Sequence, residues 1–299
     1  MVKKAFIVAF FVGVASISFA KMRIVSTVSD FAYFASVIGG DKVEVSSILR
    51  GDQDPHFASA KPSYMLMLSK ADLVLSVGLD LEIGWLPLVL QGARNPKVMP
   101  GEKGFLDCSQ FIEPIEVPPS GADRSKGDLH PKGNPHYWLP PKNAKKVAKG
   151  IMERMSEIDP SNQKFYEASY AKLEQEINEA DAQVKSMLSN TTPRPIVTYH
   201  VTFSYLFMDY GLRATAYIEP KPGIPPTPSH IASLTQTLQS LNTPPVFIIE
   251  PYYEQDIPNR LARQTNGKVI IVPTSVGGVQ GANSYKDVLV MIAKAIATQ

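Results

Sequence analysis

The chain has 299 residues, 44% of them hydrophobic and 19% charged, and a formal charge of +2. The charge falls to 0 without the first twenty residues, which hold two lysines and no acid. A neutral chain lacks the basic footprint that nucleic acid or an anionic membrane surface requires. Its single cysteine, Cys108, excludes an intrachain disulfide.

In chain order, "MVKKAFIVAFFVGVASISFA" reads as an export signal. A basic start at Lys3 and Lys4 precedes an apolar run, and Ser18-Phe19-Ala20 fits a small-x-small cleavage site. The run is too short for a good membrane span, and the residue directly after Ala20 is Lys21 and not a cysteine that could carry a lipid. An exported, periplasmic protein cleaved after Ala20 is expected.

The remaining length, about 280 residues, points to two lobes. From Met22 to about Pro141, the β-rich runs "MRIVSTV", "KVEVSSIL" and "ADLVLSVG" alternate with the helical stretches "DFAYFASVIG" and "LEIGWLPLVLQGA". Short apolar strands alternating with helices predict a parallel sheet covered on both faces. After His200 the pattern returns, with strands at "RPIVTYH", "LRATAYI", "PVFIIE" and "KVIIVP". Between these halves, Asp159 and Pro160 open a helix that nothing breaks until about Leu188. At 1.5 Å per residue it is about 40 Å long, enough to run across both lobes. The expected class is α/β, with two mostly parallel, helix-flanked sheets joined by a long rigid helix. The divisions fall at 1–20 (signal), 21–142 (first lobe), 143–190 (interlobe helices) and 191–299 (second lobe).

Three of the five histidines occupy comparable places. His56 stands in "QDPHFA", a short loop after a strand, His136 in "GNPHYWLP", and His200 closes "PIVTY". In open α/β sheets ligands bind at the carboxyl ends of strands. Imidazole is the commonest side-chain metal donor, and three imidazoles with a fourth position suit tetrahedral Zn²⁺. Spacings of 80 and 64 residues nevertheless match no compact zinc motif, so on spacing alone ordinary surface or core histidines remain the competing account.

The words "DPHFASAKPS", "NPHYWLPPKNA" and "TYHVTFSYLFMDYGL" resemble the three histidine motifs of the periplasmic zinc/manganese-binding proteins of ABC importers. The resemblance spans nearly the whole mature chain. It implies a non-enzymatic, monomeric carrier that binds Zn²⁺, with Mn²⁺ as the alternative, and delivers it to a membrane permease. It also implies His56, His136 and His200 as ligands. Two features depart from the family. Thr274 and Ser275 stand where an aspartate ligand is common, so Glu250, ending "VFIIE", is the candidate fourth ligand, with Glu254 or water behind it. The loop before His136 offers only Asp123, Asp128 and His130, and His130 is expected to face solvent.

His230 reads as a first-turn helix residue near a cap at Ser229. Asp54 and Asn134, each two residues before a ligand candidate, are placed to orient it. Trp85, Tyr137 and Trp138 are expected as cleft wall. The competing function is a zinc hydrolase using a His₃–water site, but the sequence holds no HExxH and no GxSxG.

Overall fold

The computed structural model describes residues 21–119, 127, 130–189, 191 and 194–297. The expected signal and the loop acids Asp123 and Asp128 lie outside the described residues.

The first half runs β1 (Met22–Ser26), α1 (Ser29–Gly39), β2 (Val43–Ser47), α2 (Pro62–Ser69), β3 (Leu73–Ser76), α3 (Leu86–Ala93) and β4 (Phe105–Asp107). Its sheet has the order β2-β1-β3-β4, parallel throughout. β3 is buried at all four positions, as a strand covered on both faces must be. Two helices follow, α4 (Pro141–Ile158) and α5 (Gln163–Ser189). The second half runs β5 (Ile196–Thr198), α6 (Ser204–Asp209), β6 (Ala216–Tyr217), α7 (Pro228–Gln239), β7 (Val246–Ile249), α8 (Asp256–Gln264), β8 (Lys268–Ile271) and α9 (Tyr285–Ala297). Its parallel order, β6-β5-β7-β8, repeats that of the first sheet.

The expected α/β class with a long connecting helix is what the chain adopts. α5 has 27 residues, and a short 3₁₀ turn at Pro160–Asn162 leads into it. The Asp159 carboxylate ties that start together, accepting from the Asn162 amide at 2.6 Å and the Tyr166 hydroxyl at 2.8 Å. α5 packs on α1 and α4 from one half and on α9 from the other. One continuous core therefore joins Ile24, Phe34 and Leu75 of the first sheet's layer, through Leu173 and Ile177 of α5, to Ile248 and Leu289.

Both sheets reverse their winding at the central pair, β1/β3 and β5/β7. The crevice for a ligand lies off the carboxyl ends at such a reversal. The loops leaving β2, β5 and β7 begin at that end, and they carry His56, His200 and Glu250.

Candidate metal centre

His56 sits in a one-turn 3₁₀ helix, Pro55–Phe57, capped by Asp54. The Asp54 carboxylate accepts twice from the same residue, from its backbone N–H at 2.9 Å and its ring Nδ1 at 2.7 Å. An ionised carboxylate only accepts, so the ring proton is on Nδ1 and Nε2 carries the lone pair. The turn is held from behind by the Trp85 indole, which donates to the Pro55 carbonyl at 3.0 Å.

His136 repeats the device with a neutral acceptor. Asn134 Oδ1 takes the His136 backbone N–H at 2.9 Å and Nδ1 at 2.8 Å. The orientation of that amide is fixed, because Asn134 Nδ2 donates to Glu116 and to the Val201 carbonyl. His200 follows β5, and its Nδ1 donates to Glu219 Oε2 at 2.8 Å. Glu219 is itself steadied by the Gly223 N–H at 3.1 Å. Each ring is thus set with Nδ1 bonded outward and Nε2 pointing inward.

The three rings converge. Their centroids are 5.0 Å apart for His56 and His136, 4.9 Å for His136 and His200, and 5.3 Å for His56 and His200. One donor atom from each lies within 4.8 Å of the others. A tetrahedral ion with bonds of about 2.0–2.1 Å needs donors about 3.3–3.4 Å apart, so small ring rotations close the set on an ion. All three side chains are buried, His136 completely.

Burial, and next the nearby imidazoles of His200, His56 and His130, hold the His136 pKa well below the ordinary value, so this ring is neutral and ready to donate. Burial pulls the Asp54 carboxyl up, but its hydrogen bond and charge interaction with His56 outweigh this and leave it below the usual range. Two acidic side chains, Asp54 and Glu219, stand behind the rings of His56 and His200, where a bound cation would be drawn to them.

Glu250 is fully buried just beyond β7. Its Oε1 accepts from the Thr202 hydroxyl at 2.6 Å, and burial pushes its pKa up to about 8. Among the described residues, the set of donors within 4.8 Å contains the three histidines and not Glu250. Glu254 is exposed. Thr274 and Ser275 are buried, and the Thr274 carbonyl accepts from the Trp138 indole at 2.8 Å. Trp138 in turn packs on His136 with centroids 5.6 Å apart.

Two expectations are corrected. His130 does not face solvent: it is 7% exposed, with its ring 5.3 Å from that of His56. A tight turn, not loop polarity, decides its place. The cap of α7 is Thr227, whose hydroxyl accepts the His230 N–H at 3.2 Å, and not Ser229. Glu219 escaped the sequence argument altogether. The available signal was a repeated word, since "YIEP" ends β6 as "IIEP" ends β7.

Comparison with known proteins gives a consistent result. The family model for ZnuA, the zinc-uptake complex component A, periplasmic, matches residues 24–299. The manganese ABC transporter substrate-binding lipoprotein PsaA of Streptococcus pneumoniae is 28% identical over 233 residues, 76% of this chain and 72% of its own. The metal ABC transporter substrate-binding lipoprotein FimA of Streptococcus parasanguinis is 27% identical over 259 residues, covering 85% and 80%. A crystal structure of ZnuA matches with a TM-score of 0.76 at 25% identity, over 92% of this chain and 99% of that one. A zinc-bound ZnuA deletion mutant matches with a TM-score of 0.76 at 26% identity, over 94% and 100%.

Proposed function

This chain belongs to the ZnuA family of periplasmic zinc-uptake components, and from that premise we propose that it captures Zn²⁺ between its two sheets and hands it to the permease of an ABC importer. The family is one of binding components and not of enzymes, so the hydrolase alternative is not retained. The observation that carries the reading is the inward convergence of three buried imidazoles, each with its outer nitrogen hydrogen-bonded to an oxygen acceptor.

His56, His136 and His200 are the proposed ligands. Zn²⁺ is favoured over Mn²⁺ by donor type, since imidazole suits zinc while manganese prefers carboxylate, carbonyl and water oxygens. PsaA, 28% identical, carries manganese in its name, which keeps Mn²⁺ as the alternative ion to be tested. Glu250, buried and tied to Thr202, is proposed as a neighbour of the site and not as a ligand.

Competition of the metal-free protein against a chromophoric chelator tests the assignment. His56→Ala, His136→Ala and His200→Ala are each expected to weaken Zn²⁺ binding by more than about tenfold, or ~1.4 kcal/mol. Glu250→Gln is expected to stay within about tenfold. Wild-type affinity in any histidine variant would remove that residue from the site, and tighter binding of Mn²⁺ than Zn²⁺ would reverse the choice of ion.

A further inference from the structure

His130 lies six positions before His136 in "HPKGNPH", and the two are placed by consecutive, separately anchored turns. The first turn is closed by the His130 carbonyl, which accepts from the Gly133 N–H at 2.9 Å. Pro131 at its second position presets the backbone. Gly133, at its end, has φ +109°, and a Cβ there would press on Pro114 and the Ile115 carbonyl. Lys132 reaches out of the turn to Asp80 at 3.0 Å, and Asn134 N–H bonds to the Ile115 carbonyl at 2.9 Å. A turn pinned at its tip and at the flank that leads to His136 is a built feature. It delivers one imidazole inward.

That imidazole reaches the site. The His130 and His56 centroids are 5.3 Å apart, the same separation as His56 and His200 within the triad. Four imidazoles therefore crowd one buried chamber, whereas Glu250, the acid expected there, is held by Thr202.

We propose that His130 supplies the fourth donor, so that the ion is bound by four imidazole nitrogens and not by three imidazoles and an oxygen. The proposal rests on the triad reading above. The donor set within 4.8 Å does not include His130 among the described residues, so its ring swings in about its side-chain torsions when the ion arrives. The backbone turn stays fixed and only the side chain moves. An all-nitrogen tetrahedral shell suits Zn²⁺ and penalises Mn²⁺, which makes His130 a determinant of selectivity as well as affinity.

The test uses the full chain, stripped of metal, with Co²⁺ as a spectroscopic stand-in for Zn²⁺. Wild type, His130→Ala, His130→Asn, Glu250→Gln and His136→Ala are compared by Zn²⁺ competition, by Mn²⁺ titration and by the cobalt ligand-field bands. Thermal unfolding of each metal-free form checks that it folds. Both His130 variants are expected to lose about tenfold or more in Zn²⁺ affinity, to narrow the zinc-over-manganese ratio and to shift the cobalt bands, while melting as wild type. Glu250→Gln should leave the bands in place. Wild-type zinc affinity and an unchanged cobalt spectrum in both His130 variants would overturn the proposal, as would a band shift in Glu250→Gln alone. His136→Ala binding zinc as wild type would instead bring down the triad reading itself.

Discussion

At the scale of single residues, the centre depends on groups that never touch the ion. Asp54, Asn134 and Glu219 each take the Nδ1 proton of one histidine. Each thereby fixes the tautomer that turns the Nε2 lone pair inward. The two acids do more than the amide, because a carboxylate also makes its imidazole more basic and neutralises bound charge. Glu219 separates these contributions cleanly, since it lies on β6's trailing loop and its partner His200 on β5's. Glu219→Gln keeps an acceptor for Nδ1 but removes the charge, and is expected to weaken Zn²⁺ binding about tenfold. Glu219→Ala removes both and should approach about a hundredfold. Chelator competition at constant pH reads the two values. Equal losses in the two variants would mean that charge alone matters and ring orientation does not.

At the scale of elements, packing decides what local pattern leaves open, and α4 shows it. Gly150 lies mid-helix, where alanine ordinarily adds up to about 1 kcal/mol of stability. Here a Cβ would overlap the ring of Phe111, from the 3₁₀ turn that packs on α4. Gly150→Ala is therefore expected to destabilise by about 1–3 kcal/mol, as overpacking does. Urea unfolding measures it, and a stabilised variant would show that Phe111 gives way freely. The same distinction governs what was legible in the sequence. The strands β1, β2, β3, β7 and β8, and α5, were readable because each carries a run of apolar or helix-forming residues of sufficient length. β4 has only three residues, too few for a period. α2 holds the unbroken run Tyr64 to Leu68, which shows no helical alternation, although only Leu68 is buried. His56, His136 and His200 were legible because strand ends and preceding prolines mark them. His130 was not, since a donor-poor loop gives no hint that a proline–glycine turn folds inward. Glu219 was not, because a strand-end acid before proline looks like any turn.

At the scale of the whole molecule, the two sheets are joined by α5 and by side chains that cross the cleft floor. Trp138 donates to the Thr274 carbonyl, Tyr285 to the Leu139 carbonyl at 2.6 Å, and Ser29 to the Val276 carbonyl at 2.7 Å. Beside Ser29, Asp30 accepts from the Val276 N–H at 3.2 Å. Asp30 opens α1, where the helix dipole favours a carboxylate, yet it is wholly buried. Burial wins: its pKa rises to about 7 from 3.8, although hydrogen bonds from Ser275 and Val276 oppose the shift. The folded state thus keeps a proton that the unfolded chain has already released. The contribution of Asp30 to stability is greatest below pH 3.8 and declines as pH rises to about 7. In that window the slope approaches about 1.4 kcal/mol per pH unit, and above it the contribution is flat. Asp30→Asn keeps the shape and the acceptor for Val276 but cannot ionise. Other buried acids, Glu82 and Glu250 among them, are shifted the same way, so the difference between the two proteins isolates Asp30. Chemical unfolding of both metal-free forms at pH 5, 6, 7 and 8 is expected to show the variant gaining on wild type up to about pH 7 and then running parallel to it. Parallel curves over the whole range would show that Asp30 is already charged in the folded protein, and that the junction between the sheets carries a buried anion.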